Sequence, residues 1–149
     1  MQTQIERRPT AVRATKQVGY AIAIGVNAAM IYIANHLLAW EFPPFLTQDF
    51  ERVLTIINVS LGASMVANLM YIVYDDAWFK SLSQVGVNLI GLAATIRIWQ
   101  VFPFDFTPYA VDWSLVARFV LVVALVGTAI GTVVEIGKLA TGAVRRLNN

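Results

Sequence analysis

The sequence predicts an all-α integral membrane protein, a bundle of four transmembrane helices. Of its 149 residues, 58% are hydrophobic and only 13% are charged, whereas soluble domains average about 25% charged residues. The apolar residues also form segments long enough to cross a bilayer, because about 20 of them span the ~30 Å of hydrocarbon. The predicted spans are residues 18–40, 53–74, 82–101 and 113–136.

The charged residues predict the orientation. Residues 1–17 and 137–149 form basic tails, and Lys80 lies in the short link between spans two and three. The other two links carry the acidic residues Glu41, Asp49, Glu51, Asp105 and Asp112. Lys and Arg concentrate in cytoplasmic loops, so we expect both termini in the cytoplasm. The compact chain and its simple topology suggest a bacterial inner membrane. The first span is longer than the apolar part of a signal peptide, so it is read as an uncleaved helix.

The links predict how the helices are joined. They are short, so consecutive helices should be antiparallel neighbours forming two hairpins. Asp76 is placed to cap the third helix with its side chain. Thr107 followed by Pro108 is typical of a helix start, so the fourth helix is expected to begin there as an interfacial turn ahead of its span.

A partial match 60 residues apart suggests that the two hairpins are tandem repeats. Phe42-Pro43 corresponds to Phe102-Pro103, and Thr47 corresponds to Thr107. Repeated hairpins of the same orientation occur in membrane transporters. Outside the links the matches are close to what a hydrophobic composition produces by chance, so chance similarity stays open beside duplication.

Polar residues inside the spans are the first candidate site, because each needs a partner in hydrocarbon. They recur every three or four residues, which places them on one helix face. The stripe comprises Asn27, Ser60, Ser64, Asn68, Gln84, Asn88, Thr95, Thr128 and Thr132. One interpretation is hydrogen bonding between helices of the bundle; the other is a polar path along the bundle axis.

A second candidate layer lies near the acidic links and comprises His36, Asn58, Arg97 and Arg118. The two arginines could pair with link carboxylates or extend to the headgroups. Alternatively they bind an anionic lipid or a carboxylate ligand, because the guanidinium group matches such anions.

Small residues at a spacing of four predict close helix packing. They are Gly25, Ala63, Ala67, Gly127 and Gly131, and the last two form a GxxxG motif. This motif lets helix backbones approach one another and indicates a dimer face on the fourth helix.

Several chemistries are not indicated by the residues present. The chain has no cysteine and one histidine, so no metal or haem site is expected within a single copy. No carboxylate lies near the middle of a span, where proton-coupled transporters place one. No catalytic motif is visible, and the tails are too short for a nucleic-acid module.

The leading functional expectation is therefore a non-enzymatic accessory or structural subunit without a cofactor. Its partners would be membrane lipids and another membrane protein or its own copies. A small homo-oligomeric transporter or channel is the first alternative, with the polar stripe as its path. An anionic-lipid-binding membrane protein, using Arg97 and Arg118, is the second.

Overall fold

The computed structural model describes residues 7–147 and is all-helical over this range apart from the links. The helices are α1 (Arg7–His36), α2 (Glu51–Val73), α3 (Ala77–Val101) and α4 (Ser114–Leu147), with a 3-10 turn at Gln48–Phe50. All four α-helices are long and apolar enough to cross a membrane. The prediction of an all-α protein with four helices long and apolar enough to span a membrane is therefore confirmed.

The helix ends differ from the predicted span ends. The described parts of residues 7–17 and 137–147 continue α1 and α4, because backbone hydrogen bonds extend a helix beyond its apolar segment. For the same reason α3 begins at Ala77 and not at residue 82. In contrast, α1 ends early, at His36, and the chain then turns through Glu41, whose φ is 52°.

Consecutive helices are antiparallel. Gln17 near the start of α1 donates to the carbonyl of Ile72 near the end of α2 at 3.4 Å. The three residues between α2 and α3 allow only an immediate reversal. The Arg118 guanidinium near the start of α4 lies 5.1 Å from the ring of Trp99 near the end of α3. These contacts define the directions of neighbouring helices, and the predicted bundle of two hairpins stays a prediction.

The helices lie in a row in chain order. Extensive contacts join α1 to α2, α2 to α3 and α3 to α4, and no contact of similar extent joins α1 to α4 in the described range. Accordingly α1 and α4 are edge helices, each with one neighbour, while α2 and α3 are inner helices with two.

Both long links lie at one end of the row, which we call the long-link end (residues 37–50 and 102–113). Leu46 and Phe104 form an isolated antiparallel bridge between them. The Thr47 nitrogen donates to the carbonyl of Pro103 at 3.0 Å. The two links are therefore tied together by backbone hydrogen bonds, and the opposite end (residues 74–76 and the adjoining helix turns) is called the short-link end.

The structure corrects two expectations about helix starts. Asp76 occupies the cap position of α3, but its side chain makes no capping hydrogen bond. The fourth helix begins at Ser114 and not at Thr107. Asp105 and Asp112 each accept a hydrogen bond at 2.9 Å from the backbone nitrogen two residues later, Thr107 and Ser114. Each forms the turn that a short aspartate side chain favours.

The two matched Phe-Pro pairs occupy different environments. The side chain of Phe42 is 65% exposed, whereas Phe102 is half-buried and has a left-handed φ of 44°. Pro43 is half-buried, but Pro103 is fully buried. The tandem repeat stays a prediction.

Candidate functional site

The polar stripe of α2 lies on a sheltered side of the row. Ser64 and Asn68 are half-buried, and Tyr71, one turn further, is buried. The Tyr71 ring lies 5.5 Å from that of Tyr20 on α1 and 6.3 Å from that of Phe79 on α3. Both neighbouring helices therefore approach the stripe side of α2.

The polar stripe of α3 lies on a similarly sheltered side. A Cβ atom at Gly131 of α4 would be 3.6 Å from Nδ2 of Asn88, and one at Gly91 would be 3.9 Å from Oγ of Ser60 on α2. Gln84 donates to Asn88 at 2.9 Å on the same face. The stripe side of α3 thus lies close to both α2 and α4.

Hydrogen bonds within the stripe mostly run along single helices. Six stripe donors bond the carbonyl four residues earlier in the same helix: Asn27, Ser64, Asn68, Thr95, Thr128 and Thr132. Such bonds satisfy a hydroxyl or amide donor without joining helices. The side-chain oxygens of Asn27 and Asn68 accept no hydrogen bond from described residues, so these two stripe residues retain acceptor capacity.

The predicted packing residues have unequal environments. Ala67 is buried, Ala63 is half-buried, and Gly131 faces Asn88 of α3. Gly25 and Gly127 are exposed, and a Cβ at either position would meet no atom within 4 Å. Only one glycine of the GxxxG motif therefore packs against a described part of the chain.

His36 and Asn58 of the second candidate layer have separate partners. The Asn58 and Asn35 amides exchange two hydrogen bonds, at 2.9 and 3.1 Å, between α1 and α2. Nδ1 of His36 lies 2.7 Å from the carbonyl oxygen of Tyr32. The His36 ring lies 4.2 Å from that of Tyr32 and 5.5 Å from that of Trp40, and the Tyr32 and Trp40 rings are 6.1 Å apart. The histidine belongs to a cluster of three rings at the end of α1.

Arg118 interacts with two aromatic rings at the end of α3. Its guanidinium carbon lies 4.2 Å from the ring centroid of Phe102 and 5.1 Å from that of Trp99. A cation over an aromatic face is stabilised by about 0.5–1 kcal/mol at exposed sites. This contact, which spacing along the sequence does not predict, fixes the side of α3 that α4 covers.

Arg97 lies on another face of α3. It precedes Trp99 by two residues, which corresponds to a rotation of about 200° around the helix, and it is exposed. No carboxylate lies within 4.0 Å of Arg97 or Arg118 in the described range; Asp49 instead pairs with Arg52 at 3.1 Å. Arg118 thus lies against the Trp99 ring at the end of α3, and an anion site shared by the two arginines stays a prediction.

Two further link carboxylates are engaged in their own turns. Hydrogen bonds from the side chain and then the backbone of Thr107 hold the pKa of Asp105 below its ordinary value. Those from Ser114 lower the pKa of Asp112 in the same way. Both carboxylates are fully exposed and stay ionised at neutral pH.

A cation cluster at the short-link end joins three helices. The Lys80 ammonium lies 5.2 Å from the Tyr20 ring centroid on α1 and 5.9 Å from that of Tyr71 on α2. It also pairs with Asp75, which Lys16 approaches to 3.8 Å. Sequence reasoning used Lys80 only as an orientation signal. The flanking tyrosines and Asp75 were visible, but their meeting depends on how α1 packs.

A second ionic contact at this end involves α4. Glu135 pairs with Lys138 at 2.6 Å, and its carboxylate lies close to Ser81 of α3. Because Ser81 is buried, this contact helps to define where α4 lies against α3.

In the described part of the chain, no group of three His, Cys, Asp or Glu side chains could hold a metal ion. No protein-family model, curated protein or solved structure matches this chain. The arrangement of side chains is therefore the basis for assigning a function.

Proposed function

We propose that this protein is a non-enzymatic accessory or structural subunit that packs against a larger assembly in a membrane. The observation that carries the proposal is the sheltered polar face of α2 and α3, which the edge helices α1 and α4 do not close. Hydrocarbon solvates amide groups poorly, so a helix of another protein is a better cover for this face than lipid.

The unused hydrogen-bonding capacity of the stripe supports the same proposal. Asn68 is half-buried within its span and uses its amide nitrogen on its own helix. Its carbonyl oxygen is free to accept a bond from a hydroxyl or amide on a neighbouring helix. Such interhelical bonds contribute about 0.6 kcal/mol on average, enough to favour one docking arrangement over another.

The placement of basic residues supports an orientation for this subunit. Lys16, Lys80 and Lys138 are at the short-link end, where the acidic links are absent. By the positive-inside rule, we propose that this end and both termini face the cytoplasm of a bacterial inner membrane. With the partner helix in place, the row becomes part of a closed bundle.

Native mass spectrometry of the tagged protein, extracted gently from its own membranes, tests the proposal. A second protein retained at fixed stoichiometry is the expected result. Asn68→Leu should lower the retained fraction about threefold, as expected for the loss of ~0.6 kcal/mol. Val126→Leu, on the exposed face of α4, is the matched control. A monomer from which no partner can be recovered would overturn the proposal.

A homo-oligomeric channel is the second candidate, favoured by the continuity of polar groups along α2 and α3. Several copies would enclose a path by joining their polar sides. This candidate predicts solute flux in liposomes that contain only this protein. Asn68→Leu and Asn88→Leu should each change the flux, and an unchanged flux in both would show that the stripe is not the path.

A further inference from the structure

The exposed side of α3 differs from an ordinary lipid-facing surface. Exposed residues recur along it at alternating spacings of four and three, and large and small side chains alternate: Leu82, Gly86, Leu89, Ala93 and Ile96. We call this set the α3 seam. A Cβ at Gly86 would meet no atom within 4 Å. The heptad spacing and the small residues are those of a surface that receives another helix.

The exposed face of α4 provides the internal reference. Its exposed side chains are mostly large, as at Leu115, Phe119, Val122, Val126, Ile130 and Val133, and the exposed small residues Gly127 and Ala129 lie among them. Mostly large branched side chains suit disordered acyl chains as well as any protein surface. Of these two exposed faces, that of α3 is the one along which large and small side chains alternate regularly.

Arg97 places a positive charge beside the α3 seam. It is exposed beside Ile96, within a membrane-spanning helix, and four residues before the helix end, a depth of about 6 Å. Ionisable groups inside membrane spans usually pair with one another. No described carboxylate of this chain lies within salt-bridge distance of Arg97. Of the nearby link carboxylates, Asp49 pairs with Arg52, and Asp105 accepts a hydrogen bond from Thr107.

We propose that the α3 seam seats a transmembrane helix of a second protein, and that this helix carries an Asp or Glu at the depth of Arg97. An arginine–carboxylate pair can form two parallel hydrogen bonds and gains strength outside bulk water. The alternating residues would hold the helix close, and the ion pair would set its register. This inference rests on the proposed function and adds a second contact surface with the same assembly, because the seam and the polar stripe lie on different faces of α3.

A second copy of this chain is a poor occupant of the seam. Two copies in one membrane have the same orientation, and a two-fold axis places identical residues opposite one another. The two Arg97 side chains would then lie at one depth across the interface, where like charges repel. The charge on the seam is matched by an acidic helix of a different protein.

Site-specific photo-crosslinking in the native cells tests the proposal. A benzophenone amino acid replaces Leu89 on the seam or, as a matched control, Val126 on α4. The Leu89 position should give a discrete adduct with one membrane protein, and the Val126 position should give lipid adducts. Mass spectrometry of the Leu89 adduct should place the crosslink in a transmembrane segment that carries a carboxylate about one turn from its end.

A charge exchange then tests the ion pair. Arg97→Glu should reduce the protein adduct roughly tenfold or more, and changing the partner's carboxylate to arginine should restore it. The Arg97→Gln variant in detergent should have the same unfolding temperature as the wild type, since Arg97 has no ion pair to lose in the described chain. This control separates loss of docking from loss of folding.

Three outcomes would overturn the inference. They are lipid adducts alone from both positions, an adduct between two copies of this chain, and a partner segment without a carboxylate at that depth. Native mass spectrometry distinguishes this failure from that of the proposed function. A retained partner without a Leu89 adduct contradicts the seam but leaves the accessory-subunit proposal standing, whereas absence of both contradicts both.

Discussion

The two ends of the helix row are held together by different kinds of interaction. At the long-link end, two links share backbone hydrogen bonds above the buried side chains of Phe50, Val53 and Pro103. At the short-link end, Lys80 and Asp75 pair beside the ring of Tyr71. Long irregular segments need backbone partners and apolar cover. A three-residue link exposes little backbone, so charged side chains can define its packing.

The largest effect should come from the apolar end. Phe50→Ala removes a side chain that is only 7% exposed and should lower the free energy of unfolding by about 3 kcal/mol, as cavity-forming Phe→Ala changes do. Unfolding in mixed detergent micelles measures it. Phe119→Ala, at a position 65% exposed on α4, is the control and should have little effect. Equal losses would show that Phe50 does not anchor this end.

The ionic end should respond less, but with a dependence on salt. Lys80→Met removes the ammonium group above two tyrosine rings and should cost about 1 kcal/mol. Because charges at a membrane surface are screened, the difference from wild type should shrink as ionic strength rises. Lys138→Met, whose side chain is 59% exposed, should cost less than about 0.5 kcal/mol. A salt-independent loss at Lys80 would point to packing of its methylene groups.

The amide pair between α1 and α2 is a polar exception near the long-link end. Asn58→Leu leaves Asn35 without its partner and should cost about 0.6 kcal/mol. A double-mutant cycle with Asn35→Leu measures the coupling. Additive effects would mean that the two amides act independently, and the contrast between the ends would then be sharper than the structure indicates.

The smallest effect should be one of pH at the long-link end. Asp105 and Asp112 have pKa values below their ordinary one. Their stabilisation is present above the unfolded pKa of about 3.9 and is lost as pH falls through the lower folded values. The difference between wild type and the Asp105→Asn, Asp112→Asn double variant should therefore vanish in acid, as followed by unfolding at several pH values. The loss from Phe50→Ala should not change over the same range.

Much of the fold could be predicted from local sequence. Each of the four membrane-spanning helices contains most of a predicted span, because the cost of placing polar groups in hydrocarbon acts on every segment separately. The helix ends were less predictable. Thr107-Pro108 has the residues of a helix start, but Asp105 binds Thr107 in a turn and α4 starts only at Ser114. Competing local hydrogen bonds decide such ends.

The candidate site was predicted in part. The periodic spacing of Ser64, Asn68 and Asn88 indicated faces, and the structure places these residues on sheltered sides of α2 and α3. The layer of His36, Asn58, Arg97 and Arg118 was grouped by depth alone. Depth does not reveal rotation about the helix axis. The grouping therefore joined His36, Asn58 and Arg118, which have separate partners, with Arg97, which lies on another face of α3.

The sequence by itself determined that this chain has four membrane-spanning helices and which residues share a helix face, since hydropathy and helical periodicity are local properties. Only the tertiary structure decided that the helices form a row and that Lys80 meets Tyr20 and Tyr71. It also decided that Arg118 of α4 lies against the Trp99 ring, whereas Arg97 lies on another face of α3. Lipid is as apolar as the helix surfaces, so hydrophobicity does not choose among helix pairings in a membrane. Side-chain packing and a few polar contacts make that choice.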